Sequence, residues 1–141
     1  MNQTTHLLLA CCALALLTFG VGIRMLLVRV REMKKSRIHP QSVALSAQRS
    51  TAFQDSRASD NYNHLFELPV LYYALCALAI ASQTIPAWLP WAAWGFVALR
   101  YIHSLVQCSY NKVMHRFLIF VVGFAVLALM WVGFIFSLLL A

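Results

Sequence analysis

The sequence predicts an all-α integral membrane protein, a bundle of four transmembrane helices, and three observations carry that prediction. Hydrophobic residues make up 62% of the 141-residue chain and charged residues only 11%. Soluble domains carry about 25% charged residues, and one core this small could not hide so much apolar surface from water. Apolar runs at about 7–28, 63–82, 91–106 and 117–140 alternate with short or polar connections, as helices crossing a hydrocarbon core do. The positive charge is also segregated: Arg29, Arg31, Lys34, Lys35, Arg37, Arg49 and Arg57 are seven of the eleven Lys and Arg.

That basic segment, in a chain of net charge +7, has two readings. One is a nucleic-acid surface. The other is the excess of Lys and Arg that flanks membrane spans on the cytoplasmic side. Apolar runs on both sides select the second, so no nucleic acid is expected as a partner and anionic lipid headgroups are.

The first span, Leu7–Val28, is broken only by Arg24 near its end. Arg24 can snorkel to the interface or face inward and bind. The residues before Leu7 lack Lys and Arg, and no A-x-A site follows, so a retained helix is expected rather than a signal peptide. Arg29 to Arg37 continue the helix beyond the membrane. Residues 38–56 form a polar loop with Pro40 as a breaker. The second helix runs from about Ser56 to Ser82, with three polar turns before its apolar stretch. Residues 83–90 contain two prolines and no charge, hence a turn, and Trp88, Trp91 and Trp94 mark an interface. The third and fourth spans follow. Lys112 and Arg116 lie in the last connection. Both basic loops therefore face the cytoplasm and both termini the other side.

Cys11, Cys12, Cys76 and Cys108 show no CxxC spacing. Three lie in apolar runs, where Cys is a small hydrophobe, and no disulfide framework follows.

Polar groups inside membrane helices are costly and point to function or buried pairing. Arg57, Asp60, Asn61, His64 and Glu67 cover an arc of about 120° at 100° per residue, one polar stripe. Their spacing allows Arg57 to pair with Asp60, and His64 with Asp60 or Glu67. Pro69 lacks a donor for the Leu65 carbonyl and kinks the helix. On the third helix Arg100, His103, Gln107 and Tyr110 cover about 80°, and Asn111, Lys112, His115 and Arg116 lead into the fourth. The two stripes can face each other, with Glu67 meeting Arg100, either as a pair that holds the bundle or as part of a binding site. His64 and His103 lack the acid or Cys that would complete a metal set, so no metal site is expected.

The runs RASDNYNHLFELPVLYYAL (57–75) and RYIHSLVQCSYNKVMHR (100–116) resemble the MAPEG family, the membrane-associated proteins of eicosanoid and glutathione metabolism. The resemblance covers nearly the whole chain. Its spacing is closest to the microsomal prostaglandin E synthase branch and to bacterial members. It implies a homotrimer of four-helix subunits, as in a bacterial inner membrane, with glutathione as co-substrate between adjacent subunits near the cytoplasmic face. By the same resemblance Arg57 and Glu67 belong to the second-helix glutathione motif, where His64 takes a further position, and Arg100 and His103 to the third-helix motif; Tyr110 is expected to help orient the tripeptide. Arg29 or Arg31 matches a first-helix arginine near the tripeptide, and Arg116 the arginine that activates the thiol. Three positions depart from the family pattern: His64 stands for Asn, Asp60 for Arg and Gln107 for Tyr.

The expected function is a glutathione-dependent transferase or peroxidase acting on lipophilic electrophiles that arrive through the membrane. Cations would clamp the tripeptide carboxylates, and Arg116 would favour the thiolate. The alternative is a non-catalytic trimer of the same fold that binds lipid or a protein partner. A small transporter is the third reading. It is weakened because small multidrug exporters carry their membrane Glu in the first helix, which here has none.

Overall fold

The structure, a computed structural model, describes residues 2–140, with the side chains of all of them but Ser46 and Ser50. Among the described residues every regular element is helical: α1 (Gln3–Ser36), a 3₁₀ turn (Pro40–Val43), α2 (Ser46–Ala52), α3 (Arg57–His64), α4 (Leu68–Ala81), α5 (Leu89–Cys108) and α6 (Val113–Leu139).

α1 has 34 residues, about 51 Å at 1.5 Å per residue. The Asn2 side chain caps its start by accepting from the Thr4 N–H at 3.0 Å. Arg37, at φ 51°, ends it in the left-handed conformation, with Ile38 N–H returning to the Met33 carbonyl; this is a helix-terminating turn. Lys34 and Lys35 lie in the last turn, where cations suit the carbonyl end of the helix.

The second polar-then-apolar stretch is two helices rather than one. α3 ends at His64, and Phe66 and Glu67 donate three residues back, to Asn63 and His64. α4 then starts with Pro69 in its first turn. Proline has no N–H for the preceding turn and is tolerated at a helix start, so the expected kink becomes a full break at 65–67.

The core is drawn from α1, α4, α5 and α6 and is built of residues such as Leu7, Leu14, Tyr72, Leu75, Phe96, Leu127 and Phe134. Tyr72 stacks on Phe96 with ring centroids 5.0 Å apart. At the far end of α6 the Trp88 indole lies on Gly133, where a Cβ would come within 2.8 Å of the ring.

The outside is as apolar as the inside. Leu16, Phe19, Ile23 and Leu26 on α1, and Phe117, Leu118, Phe124 and Leu129 on α6, are all more than half exposed. A surface of this kind needs lipid or a partner. Among the described residues three stretches are long and apolar enough to cross a membrane: Gln3–Ser36, Arg57–Ala81 taken across its break, and Val113–Leu139. α5, expected as a fourth span, is not among them. Its 20 residues reach about 30 Å, but Arg100, His103, Ser104 and Gln107 interrupt its apolar character, and all four are buried.

The two ends differ. Asn2, Gln3, Gln83 and Ile85 gather at one end, near Trp91, whose ring lies 6.3 Å from that of His6. The basic segment gathers at the other, with the α5–α6 turn.

Candidate functional site

α3 is held against α5 from below and from its start. Buried Asn61 accepts from the Ser104 hydroxyl at 3.2 Å and donates to the Cys108 sulfur at 3.3 Å. Arg57 Nη1 donates to the Ser109 carbonyl at 2.6 Å, and Arg24 from α1 donates to the Cys108 carbonyl. Helix C-termini leave carbonyls unpaired, and cationic donors there are stabilising. Arg24 is exposed, and its side chain reaches across to the end of α5.

Arg57 also grips Asp55, with Nε to Oδ1 and Nη2 to Oδ2 both at 2.8 Å. This two-pronged contact is the strong form of an ion pair, and it holds the Asp55 carboxyl below its usual 3.8. The spacing allowed Asp60 as the partner instead. Asp55 wins because it precedes α3 and also accepts the Arg57 backbone N–H at 3.2 Å, while Asp60 accepts from the Ser56 hydroxyl at 2.7 Å. Glu32 fixes the same corner. Its two carboxylate oxygens accept the N–H groups of Gln54 and Asp55 at 3.1 and 3.0 Å.

Beyond α3 lies a cleft of about 220 Å³ lined by His64, Glu67, His103, Arg116, Phe117 and Phe120, with Val113 at its edge. His64 Nδ1 is 3.0 Å from Glu67 Oε2, the i,i+3 pairing that the spacing allowed. The His64 and His103 rings meet edge-on with centroids 6.1 Å apart. Arg116 is half-buried, and its Nη1 donates to the Asn111 side chain at 3.1 Å; Asn111 itself sits at φ 48° in the turn. The cleft thus joins an acid, two imidazoles and a guanidinium to an apolar wall. It can bind a polar molecule at one side and an apolar one at the other.

The remaining expected site residues lie elsewhere. Glu67 and Arg100 interact electrostatically but form no direct ion pair: among the described residues Glu67 is paired with His64, and Arg100 Nε and Nη2 have no hydrogen-bond partner. Arg100 is 1% exposed. It lies in the seam between α5 and α6, 5.2 Å from the Phe96 ring centroid and 5.8 Å from that of Phe120, so aromatic faces supply part of the stabilisation a buried cation needs. Gln107, fully buried, has both amide atoms unpartnered. Tyr110 is exposed and its hydroxyl meets His115 Nδ1 at 3.2 Å.

Arg29 opens into a second cavity of about 240 Å³ between α1, α2 and α3, with Arg49, Asp55 and Asp60. It shares no lining residue with the cleft.

Sequence reading missed Glu32, Asp55 and Gly123 as positioning residues. Glu32 is the first of four acids in the chain, an isolated carboxylate in a basic run, which was the available signal. Gly123, set in an apolar run, offered none.

No curated protein and no solved structure matches the chain. A family model, that of the MAPEG family, matches residues 7–136, nearly all of it. The apolar exterior and the polar residues of α3 and α5 accord with that match, and the chain belongs to the MAPEG family.

Proposed function

We propose that this chain is a membrane-bound glutathione-dependent transferase or peroxidase acting on lipophilic electrophiles. The observation that carries the reading is the cleft, where Arg116, Glu67, His64 and His103 share one wall with Phe117 and Phe120.

The donor set fits one end of glutathione well and the other incompletely. Glu67 is half-exposed and uses one oxygen on His64, leaving the other for an ammonium. Arg116 is the one guanidinium lining the cleft. Arg57 is committed to Asp55 and Ser109, and Arg100 is sealed. A tripeptide with two carboxylates therefore needs a cation from outside the subunit. A homotrimer supplies one, if a first-helix arginine of a neighbour, Arg29 or the exposed Arg31, reaches the cleft. The proposed assembly is thus a trimer of four-helix subunits, α5 being the fourth span, with the basic end cytoplasmic.

When bound, glutathione supplies a thiol nucleophile. Arg116 would favour its thiolate by electrostatic attraction. His103 and His64, one buried and one at the rim, would orient polar groups of the tripeptide. Phe117 and Phe120 would seat the apolar electrophile arriving from lipid and keep water from the sulfur.

Calorimetry of the purified protein in detergent with glutathione tests this, beside Arg116→Ala. Saturable binding lost in the variant supports the reading. Absence of binding at millimolar glutathione in folded protein selects the second reading, a lipid- or partner-binding protein of the same fold. That reading is favoured by Asp60 and His64, which replace Arg and Asn of the family pattern.

A further inference from the structure

We infer that the cavity between α1, α2 and α3 binds the headgroup of a zwitterionic phospholipid, with Arg29 and Arg49 holding its phosphodiester and Asp60 facing its amine. The inference does not rest on glutathione binding.

The first argument is charge. Arg29 and Arg49 come from different helices and line one cavity. Neither guanidinium donates a hydrogen bond or joins an ion pair among the described residues. The acids close by are already occupied. Glu32 accepts two backbone N–H groups, and both oxygens of Asp55 are held by Arg57. Two guanidinium groups side by side repel each other, and the repulsion is larger where water is partly excluded. A phosphodiester offers two anionic oxygens that guanidinium donors match. Asp60 sits at the same cavity with one oxygen taken by Ser56. Its second oxygen can accept from an ammonium. A ligand with a phosphate and an amine completes both sets, and a purely anionic headgroup would meet Asp60 unfavourably.

The second argument is depth. The apolar run of α1 ends at Val28, and Arg29 follows it. The cavity floor is apolar, made by Met25, Val28 and Phe53. A phosphate held by Arg29 sits at the boundary where the apolar run ends and the basic flank begins, which is where lipid headgroups lie.

The test uses full-length protein stripped of lipid in detergent and titrated by native mass spectrometry. The probes are phosphatidylethanolamine and phosphatidylglycerol with identical acyl chains, with inorganic phosphate as competitor. We expect saturable phosphatidylethanolamine binding, weakened at least tenfold by Arg49→Gln. Asp60→Asn should erase the preference for phosphatidylethanolamine over phosphatidylglycerol. Millimolar phosphate should not displace the lipid. Unchanged lipid binding in R49Q would overturn the proposal. So would displacement by phosphate, which would make the cavity a site for a free anion, or a lipid preference that D60N leaves intact. Arg49 makes no side-chain hydrogen bond within the described chain, so R49Q is expected to melt as the parent does. Unfolding of R49Q would instead make Arg49 a structural residue and overturn the assignment too. If the lipid holds Arg29, Arg31 is the first-helix arginine left for a neighbouring subunit.

Discussion

Gly123 on α6 makes room for the guanidinium of Arg100 on α5: a Cβ at that position would run into Nη2 of the arginine. The cation is buried in the seam between the two helices, so its side chain must shift within packed surroundings to admit a methyl. Replacing Gly123 with Ala should therefore lower stability by about 1–3 kcal/mol, the range for overpacking a filled interior. Thermal unfolding in detergent measures it. The clash is specific, so Gly123→Ala added to Arg100→Met should cost far less than it does in the parent, a coupling that a double-mutant cycle reads directly.

The Arg57–Asp55 contact carries a pH dependence. Arg57 holds the Asp55 carboxyl below 3.8, so the folded state favours the carboxylate more than the unfolded state does. The stabilisation is full above the unfolded aspartate value and is lost as pH falls through the lower, folded one. Melting temperature measured between about pH 6 and pH 2.5 should fall at the acid end. Asp55→Asn should melt lower than the parent at neutral pH, and the two should converge in acid. Parallel curves would remove this contact from the stability of the corner.

Glu32 ties the chain before α3 onto α1. Glu32→Ala removes the acceptor of two backbone N–H groups, each worth about 1 kcal/mol. The loss should be local. Amide exchange at Gln54 and Asp55 should speed up by an order of magnitude or more, while exchange in the core of α4 and α5 stays as it is. Equal acceleration everywhere would mean that Glu32 supports the whole fold.

Arg116→Ala should weaken glutathione binding roughly ten- to a hundredfold, the effect of losing a charge-assisted hydrogen bond of about 1.5–3 kcal/mol. Arg116→Lys keeps the charge without the planar fork and should recover part of it. Equal affinity in R116A and the parent would remove Arg116 from the site.

Much of this was legible in residue order alone. The spacing allowed His64 to meet Asp60 or Glu67, and Glu67 is the partner it takes; Pro69 marked a kink where the helix in fact breaks. Helical phase told which residues share a face, but not which helix lies across from it. That is why Arg100 was expected opposite Glu67 and instead lies between Phe96 and Phe120. It is also why Arg24, a stray cation in an apolar run, could be read two ways until the end of α5 appeared beside it. The Glu32 contact spans 22 residues to Gln54, and the role of Gly123 depends on a side chain from another helix. Local rules see neither. Asp55 precedes α3, so the periodicity of that helix does not reach it.

The break at 65–67 also separates how the two halves of this stretch respond to the lipid around them. α3 is tied to its neighbours by Glu32 on α1 and by Ser104, Cys108 and Ser109 near the end of α5, while α4 packs in the apolar core. A bilayer thinner or thicker than the apolar spans is accommodated mainly by helix tilt. With a joint between them, α4 can tilt while α3 keeps its place over the cleft. α3 is thereby coupled to bilayer thickness less directly than α4, and Glu67, which lies in the joint itself, is the cleft residue that such a tilt reaches first.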